Sequence, residues 1–240
     1  ISNLYPLKGK RIIITAIDLE SDVHRGIANY TKNLLRSLKS LGADVWLLTG
    51  FSSDVYIRNN YVEEKKRMEI ARILGQLSDS NFRITDEKTN SIRSIYSKGG
   101  KFLKIIFLTN FFLIYLFSFF ASFRIKYKIY ERKYFENSPL LKTSRLDYFE
   151  NIDGIISAKN IYEKAKISSL LSPKPLEIHI KNFDVLITNC PVFIKASSNI
   201  KMIQTIHDLI PIVIPLENKP MIFVRSLAQA LKTDRRIYIS

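Results

Sequence analysis

The sequence predicts a doubly wound α/β domain: a mostly parallel sheet with helices on both faces. Three observations predict it. Residues 11–16 form a short apolar run with three consecutive isoleucines, the pattern of a strand covered on both sides. After a polar loop, Ile27, Tyr30, Leu34, Leu38 and Leu41 recur at spacings of three and four, one face of a helix. Gly42 then supplies a helix stop, and residues 43–49 (ADVWLLT) return to strand character. A strand–helix–strand unit of this kind opens doubly wound domains.

In such a unit the chemistry sits where the first strand ends. The N–H groups of the helix's first turn have no partners inside the helix, and the helix dipole adds partial positive charge. The loop at Arg25, Gly26 and Ile27 is therefore a place for an anion such as a phosphate. Gly26 would let a ligand approach the backbone, and Arg25 would add a guanidinium. A plain helix start with a solvated arginine is equally compatible with these residues. No G-x-G-x-x-G is present, so a standard dinucleotide site is not indicated.

Composition narrows the classes. The 240 residues suffice for one large domain or two small ones, and 46% apolar content is ordinary for a globular chain. A single cysteine, Cys190, excludes a disulfide framework and a cysteine-based zinc site. His24, His179 and His207 do not fall at metal-ligand spacing, and no metal or other cofactor is expected. A net charge of +15 points to an anionic partner: nucleic acid, an acidic membrane surface or phosphorylated sugars. The first residues show no charged-then-apolar leader.

Further along, residues 51–60 read as a loop. Residues 61–77 read as a charged helix whose inward face carries Met68, Ala71, Leu74 and Leu77. Residues 81–85 suggest a short strand, and 86–100 an irregular or partly helical stretch. Residues 102–123 hold eight phenylalanines and one tyrosine, and are nearly long enough to cross a bilayer. From 98 to 145 the local net charge is +8. A single crossing would place the first strand unit and the later strands on opposite sides of a membrane. Two readings stay open instead: an interfacial helix or hairpin against anionic lipid, or a helix buried within the protein.

Residues 151–157 fit a strand or a loop, and 158–171 a helix that Pro173 and Pro175 break. Residues 183–189 (FDVLITN) are a good central strand ending at Asn189, and 200–206 another ending at His207 and Asp208. Pro211 and Pro215 mark a loop. Pro220 opens a helix with Phe223, Leu227, Ala230 and Leu231 on its apolar face. Residues 236–240 start one more strand, expected to be an inner one, with a longer natural protein continuing past it.

Three segments now agree in order. Residues 25–35 (RGIANYTKNLL), following a strand, look like the helix start of family 4 glycosyltransferases. Residues 205–211 (TIHDLIP), preceded by FDVLITN, resemble a later strand end of that family. The closing TDRRIYIS is similar to the last strand of its N-terminal domain. The matches cover the two ends of the chain, about half of it; residues 61–181 contribute nothing to them.

The resemblance implies a GT-B fold, two Rossmann-like domains with the active site between them. Residues 1–240 would be the N-terminal, acceptor-side domain, with a Phe-rich basic helical insertion at about 98–145. The nucleotide-sugar domain would lie outside the chain. Family members transfer a sugar from a nucleotide-sugar donor with retention of configuration and without a metal. By resemblance, His207 is the catalytic residue beside the donor sugar, and Gly26 lies near the donor diphosphate. Asn189 and Asp208 join Arg25, Gly26 and Ile27 as substrate-binding candidates, Asp208 by capping the next turn or orienting His207. The departures are Arg25, where the family often has a further glycine, and the absence of its paired-glutamate E-x-x-x-x-x-x-x-E element. Asp18, Asp22 and His24 read as solvated loop residues, with contact to the acceptor as the lesser alternative.

The expected function is therefore a retaining glycosyltransferase acting on a glycan or lipid-linked acceptor in cell-surface polysaccharide synthesis. The chain is expected to be cytoplasmic, peripheral at the inner face of a membrane, and inactive alone. The competing reading is a non-catalytic basic α/β module that binds nucleic acid or another anion. The positive residues gather around an apolar run rather than forming a Lys/Arg stripe with separated stacking aromatics, which weighs against nucleic acid.

Overall fold

A computed structural model describes residues 5–21, 24, 26–51, 62–78, 125–207, 220–233 and 235–239. Its frame is a seven-stranded sheet built from β1 (Arg11–Thr15), β2 (Asp44–Thr49), β3 (Lys128–Glu131), β4 (Gly154–Ser157), β6 (Val185–Thr188), β8 (Lys201–Ile206) and β9 (Arg235–Tyr238). The order across the sheet is β3-β4-β2-β1-β6-β8-β9. All neighbours run parallel except β3, which lies antiparallel to β4. The six parallel strands follow the doubly wound Rossmann-like order, which reverses direction between β1 and β6. A separate parallel pair joins β5 (Leu176–Ile178) and β7 (Ile194–Ala196).

The isoleucine run of β1 shows why the sheet is covered on both faces. Ile12 and Ile14 enter one cluster with Leu35 and Leu38 of α1 (Gly26–Ser40) and with Ile70, Ile73 and Leu74 of α2 (Val62–Ser78). Ile13 points the other way, into a cluster with Ile161, Tyr162 and Ala165 of α3 (Ile161–Leu171). A fourth helix, α4 (Pro220–Ala230), packs Leu227 and Ala230 against Ile206 of β8. Strand alternation thus feeds two cores from one sequence stretch.

Helix α1 stops as its glycine dictates. Gly42 sits at φ 87°, its N–H donates to Lys39 O, and the Ala43 N–H donates to Leu38 O. These are the two bonds of a left-handed glycine cap, with the Leu38–Ala43 pair at its apolar position.

Three expectations change. In α2, Leu74 and Leu77 face inward as expected, but Met68 is 54% exposed and Ala71 is also exposed, and Glu69, Ile70 and Ile73 complete the inward face. Residues 125–145 of the expected helical insertion hold the edge strand β3 and 3-10 turns packed toward α2, not a helix. Strand β9 is no inner strand: it lies at the sheet's edge with all four residues exposed. The loop expected at 51–60 beyond Phe51, the strand at 81–85 and the phenylalanine-rich run at 102–123 lie outside the described residues. Strands on either side of that run pair directly, β2 with β4, so a single bilayer crossing between them does not fit this sheet. Among the described residues no helix is long and apolar enough to cross a membrane.

Candidate functional site

Five of the parallel strands carry buried polar residues at their carboxyl ends. Thr15, Thr49, Ser157 and Thr188 close β1, β2, β4 and β6 after apolar positions, and β8 carries buried Gln204 and Thr205 just before its last residue, Ile206. Buried polar groups need partners, so this rim is where the fold keeps its polar chemistry. Gln204 Oε1, for example, accepts from Thr188 Oγ1 at 3.2 Å and from the Val192 N–H at 3.1 Å.

The reversal between β1 and β6 opens the rim at one place, the position where open α/β sheets bind ligands. Three side chains from distant parts of the chain meet around it. Asp18 follows β1, Asn189 follows β6, and His207 follows β8. The imidazole of His207 rests against Tyr30 of α1, ring centroids 5.0 Å apart and planes at 85°. Tyr30 is one turn into the helix from Gly26, so the strand end at 207 and the start of α1 are neighbours, as the sequence implied.

Asn189 is fully buried, its Nδ2 donates to Thr15 O at 2.7 Å, and its backbone N–H donates to Thr15 Oγ1 at 3.3 Å. It forms the floor of the site and holds β6 to β1. Gly26 is exposed at the start of α1, and a Cβ there would meet nothing within 4 Å. Ile27 is half-buried, and its carbonyl accepts the Thr31 hydroxyl at 2.9 Å. Arg25 and Asp208 lie outside the described residues.

The residue that sequence reasoning missed is Asp18. It is not a solvated loop carboxylate: burial raises its pKa above the ordinary carboxylate value, while the His207 charge and a hydrogen bond with the Asn189 side chain act in the opposite direction. Among the described residues its enclosed Oδ2 has no hydrogen-bond partner, and neither have Asn189 Oδ1 and His207 Nε2. Cys190, next along, has its thiol pushed up by burial and by Asp18, which keeps it a neutral thiol rather than a nucleophile. His24 also turns inward, its Nε2 3.1 Å from Leu19 O, with burial holding its pKa down.

Beside this cluster an open cleft of about 280 Å³ runs along the ends of β1, β2 and β4, lined by Ile17, Ser21, Phe51, Asn160 and Glu163, with Lys166. Glu163 and Lys166 are ion-paired at 2.7 Å. Among the described residues no group of three or more His, Cys, Asp or Glu side chains could hold a metal ion. No family model matches the chain, and neither a curated protein nor a solved structure shows significant similarity to it.

Proposed function

We propose that the chain is the acceptor-side domain of a retaining glycosyltransferase that takes its sugar from a nucleotide-sugar donor. One observation carries this reading: His207, at the end of β8, stands against the first turns of α1 at the reversal point of the sheet. A histidine and a helix amino end placed together can address both parts of a nucleotide sugar. The imidazole would hydrogen-bond a sugar hydroxyl or stabilise charge near the anomeric carbon, and the helix start would face phosphate. Among the described residues nothing packs within 4 Å of a Cβ at position 26, which is compatible with a ligand approaching there. The adjoining cleft, with an aromatic side chain and an ion pair on its walls, suits a neutral polyhydroxylated acceptor better than an anion. Under this reading the nucleotide is held by a second α/β domain outside these 240 residues. The acceptor is a glycan or a lipid-linked glycan, met at a membrane surface.

The test is nucleotide-sugar turnover by the full-length gene product. Nucleoside diphosphate release from a panel of donors should depend on His207, falling about 100-fold or more in His207→Ala with an unchanged circular dichroism spectrum. Wild-type turnover in that variant would remove His207 from the mechanism. The net charge of +15 favours one second reading, a basic binding module. Salt-dependent oligonucleotide binding, together with no affinity for any nucleotide sugar, would establish it instead.

A further inference from the structure

We propose that Asp18 is the positioning residue of His207: its carboxylate accepts the imidazole Nε2–H and so fixes which ring nitrogen is offered to a ligand. Three enclosed atoms at the ends of three strands, Asp18 Oδ2, Asn189 Oδ1 and His207 Nε2, have no hydrogen-bond partner among the described residues. An enclosed polar atom left unpaired is costly, the more so if it is charged. Two of the three are acceptors only; of the enclosed unpaired donors at this end of β8, Gln204 Nε2, Thr205 Oγ1 and the imidazole, the imidazole is the one that interacts with Asp18.

The surroundings select Asp18 over Asn189 as its acceptor. Asn189 is locked by its two bonds to Thr15, and its side chain lies beside Asp18. The carboxylate in turn lies within electrostatic reach of the His207 ring. Tyr30 lies at 85° to the imidazole and limits its rotation from the other side. A small turn of the ring, or one enclosed water between Nε2 and Oδ2, completes the pair, and either fixes the same tautomer. With the proton on Nε2, Nδ1 is left as an acceptor. The pairing stands independently of the glycosyltransferase reading; that Nδ1 then accepts from a sugar hydroxyl rests on that reading.

The experiment is a long-range proton–nitrogen correlation spectrum of the ¹⁵N-labelled chain at neutral pH, with His207→Gln identifying the His207 signals. The expected result is the Nε2–H tautomer, with a downfield Nε2 proton that moves upfield in Asp18→Asn, where a neutral acceptor replaces the charged one. Asp18→Leu, which removes the acceptor at similar volume, should give a mixture of tautomers. An Nδ1–H tautomer in the wild type would overturn the proposal. So would an Nε2 proton that does not respond to Asp18→Asn, a readout that needs no activity and does not depend on the leucine variant folding. If the full-length protein transfers sugar, Asp18→Leu should also lower kcat by about tenfold or more with little change in KM. A tautomer response without any nucleotide-sugar binding would sink the functional reading and leave the pairing standing.

Discussion

At the level of single residues, the chain shows how little slack its core and its site have. A Cβ added at Gly154 would lie 2.2 Å from Cζ3 of Trp46, on the neighbouring strand β2. Gly154→Ala should therefore cost about 1–3 kcal/mol by overpacking, read from urea unfolding, and should couple strongly to Trp46→Leu in a double-mutant cycle. Additive effects of the two changes would mean that the indole is not what the new methyl meets. Asp18 carries a different strain. Its folded-state pKa lies above the unfolded value of 3.8, so the native state holds its proton more tightly. Stability is then lost as pH rises from that value through the raised folded-state pKa. Asp18→Asn should raise the thermal midpoint at pH 7, with the gain vanishing as pH falls toward 3.8. A lower midpoint at neutral pH would show that the carboxylate is stabilising where it sits. None of this was legible locally. Asp18 follows a strand in a polar stretch, and only Asn189 and His207, far along the chain, turn it inward.

At the level of elements, what could be read was what depends on periodicity. Strand β1, helix α1 with its glycine stop, β2, β6 and β8 all follow from apolar runs or three–four spacing, and all are present within a residue or two of the expected bounds. Helix α2 and strand β3 follow a different logic. Glu69 is buried in α2 because Tyr130 Oη donates to its Oε2 and Lys128 Nζ to its Oε1, both at 2.7 Å. Those partners come from β3, whose own pattern is exposed except at Tyr130 and so gives no alternation to recognise. A carboxylate inside and a methionine outside invert the helix's apparent face, and no property of α2 alone announces it. The triad is the tie between α2 and the antiparallel edge. Tyr130→Phe should leave a buried carboxylate one donor short, costing about 1–3 kcal/mol. Amide exchange should accelerate selectively in β3 and α2; unchanged protection there would show that apolar packing, not this triad, holds the edge strand.

For the molecule as a whole, the sheet constrains what the phenylalanine-rich basic stretch can do. Strands encoded before residue 102 and after residue 123 pair with each other in one sheet, which does not fit a single bilayer crossing between them. This leaves the two readings that the composition left open, a membrane-facing element or an internal one, and lipid binding is the measurement that separates them. With +15 overall and +8 between residues 98 and 145, an anionic surface would be drawn to this part of the chain. The attraction acts through a Debye length that shrinks from about 10 Å at 0.1 M salt to about 3 Å at 1 M. A lipid-linked acceptor would be reached more readily by a domain held this way, which ties the prediction to the proposed reaction without depending on it. In flotation, the protein should rise with vesicles containing phosphatidylglycerol and stay behind with phosphatidylcholine alone. Binding that disappears at about 1 M salt would be electrostatic only, whereas a fraction that persists would report phenylalanine side chains inserted among the lipids. No flotation with anionic vesicles at low salt would assign residues 102–123 to the interior and remove the membrane from the proposal.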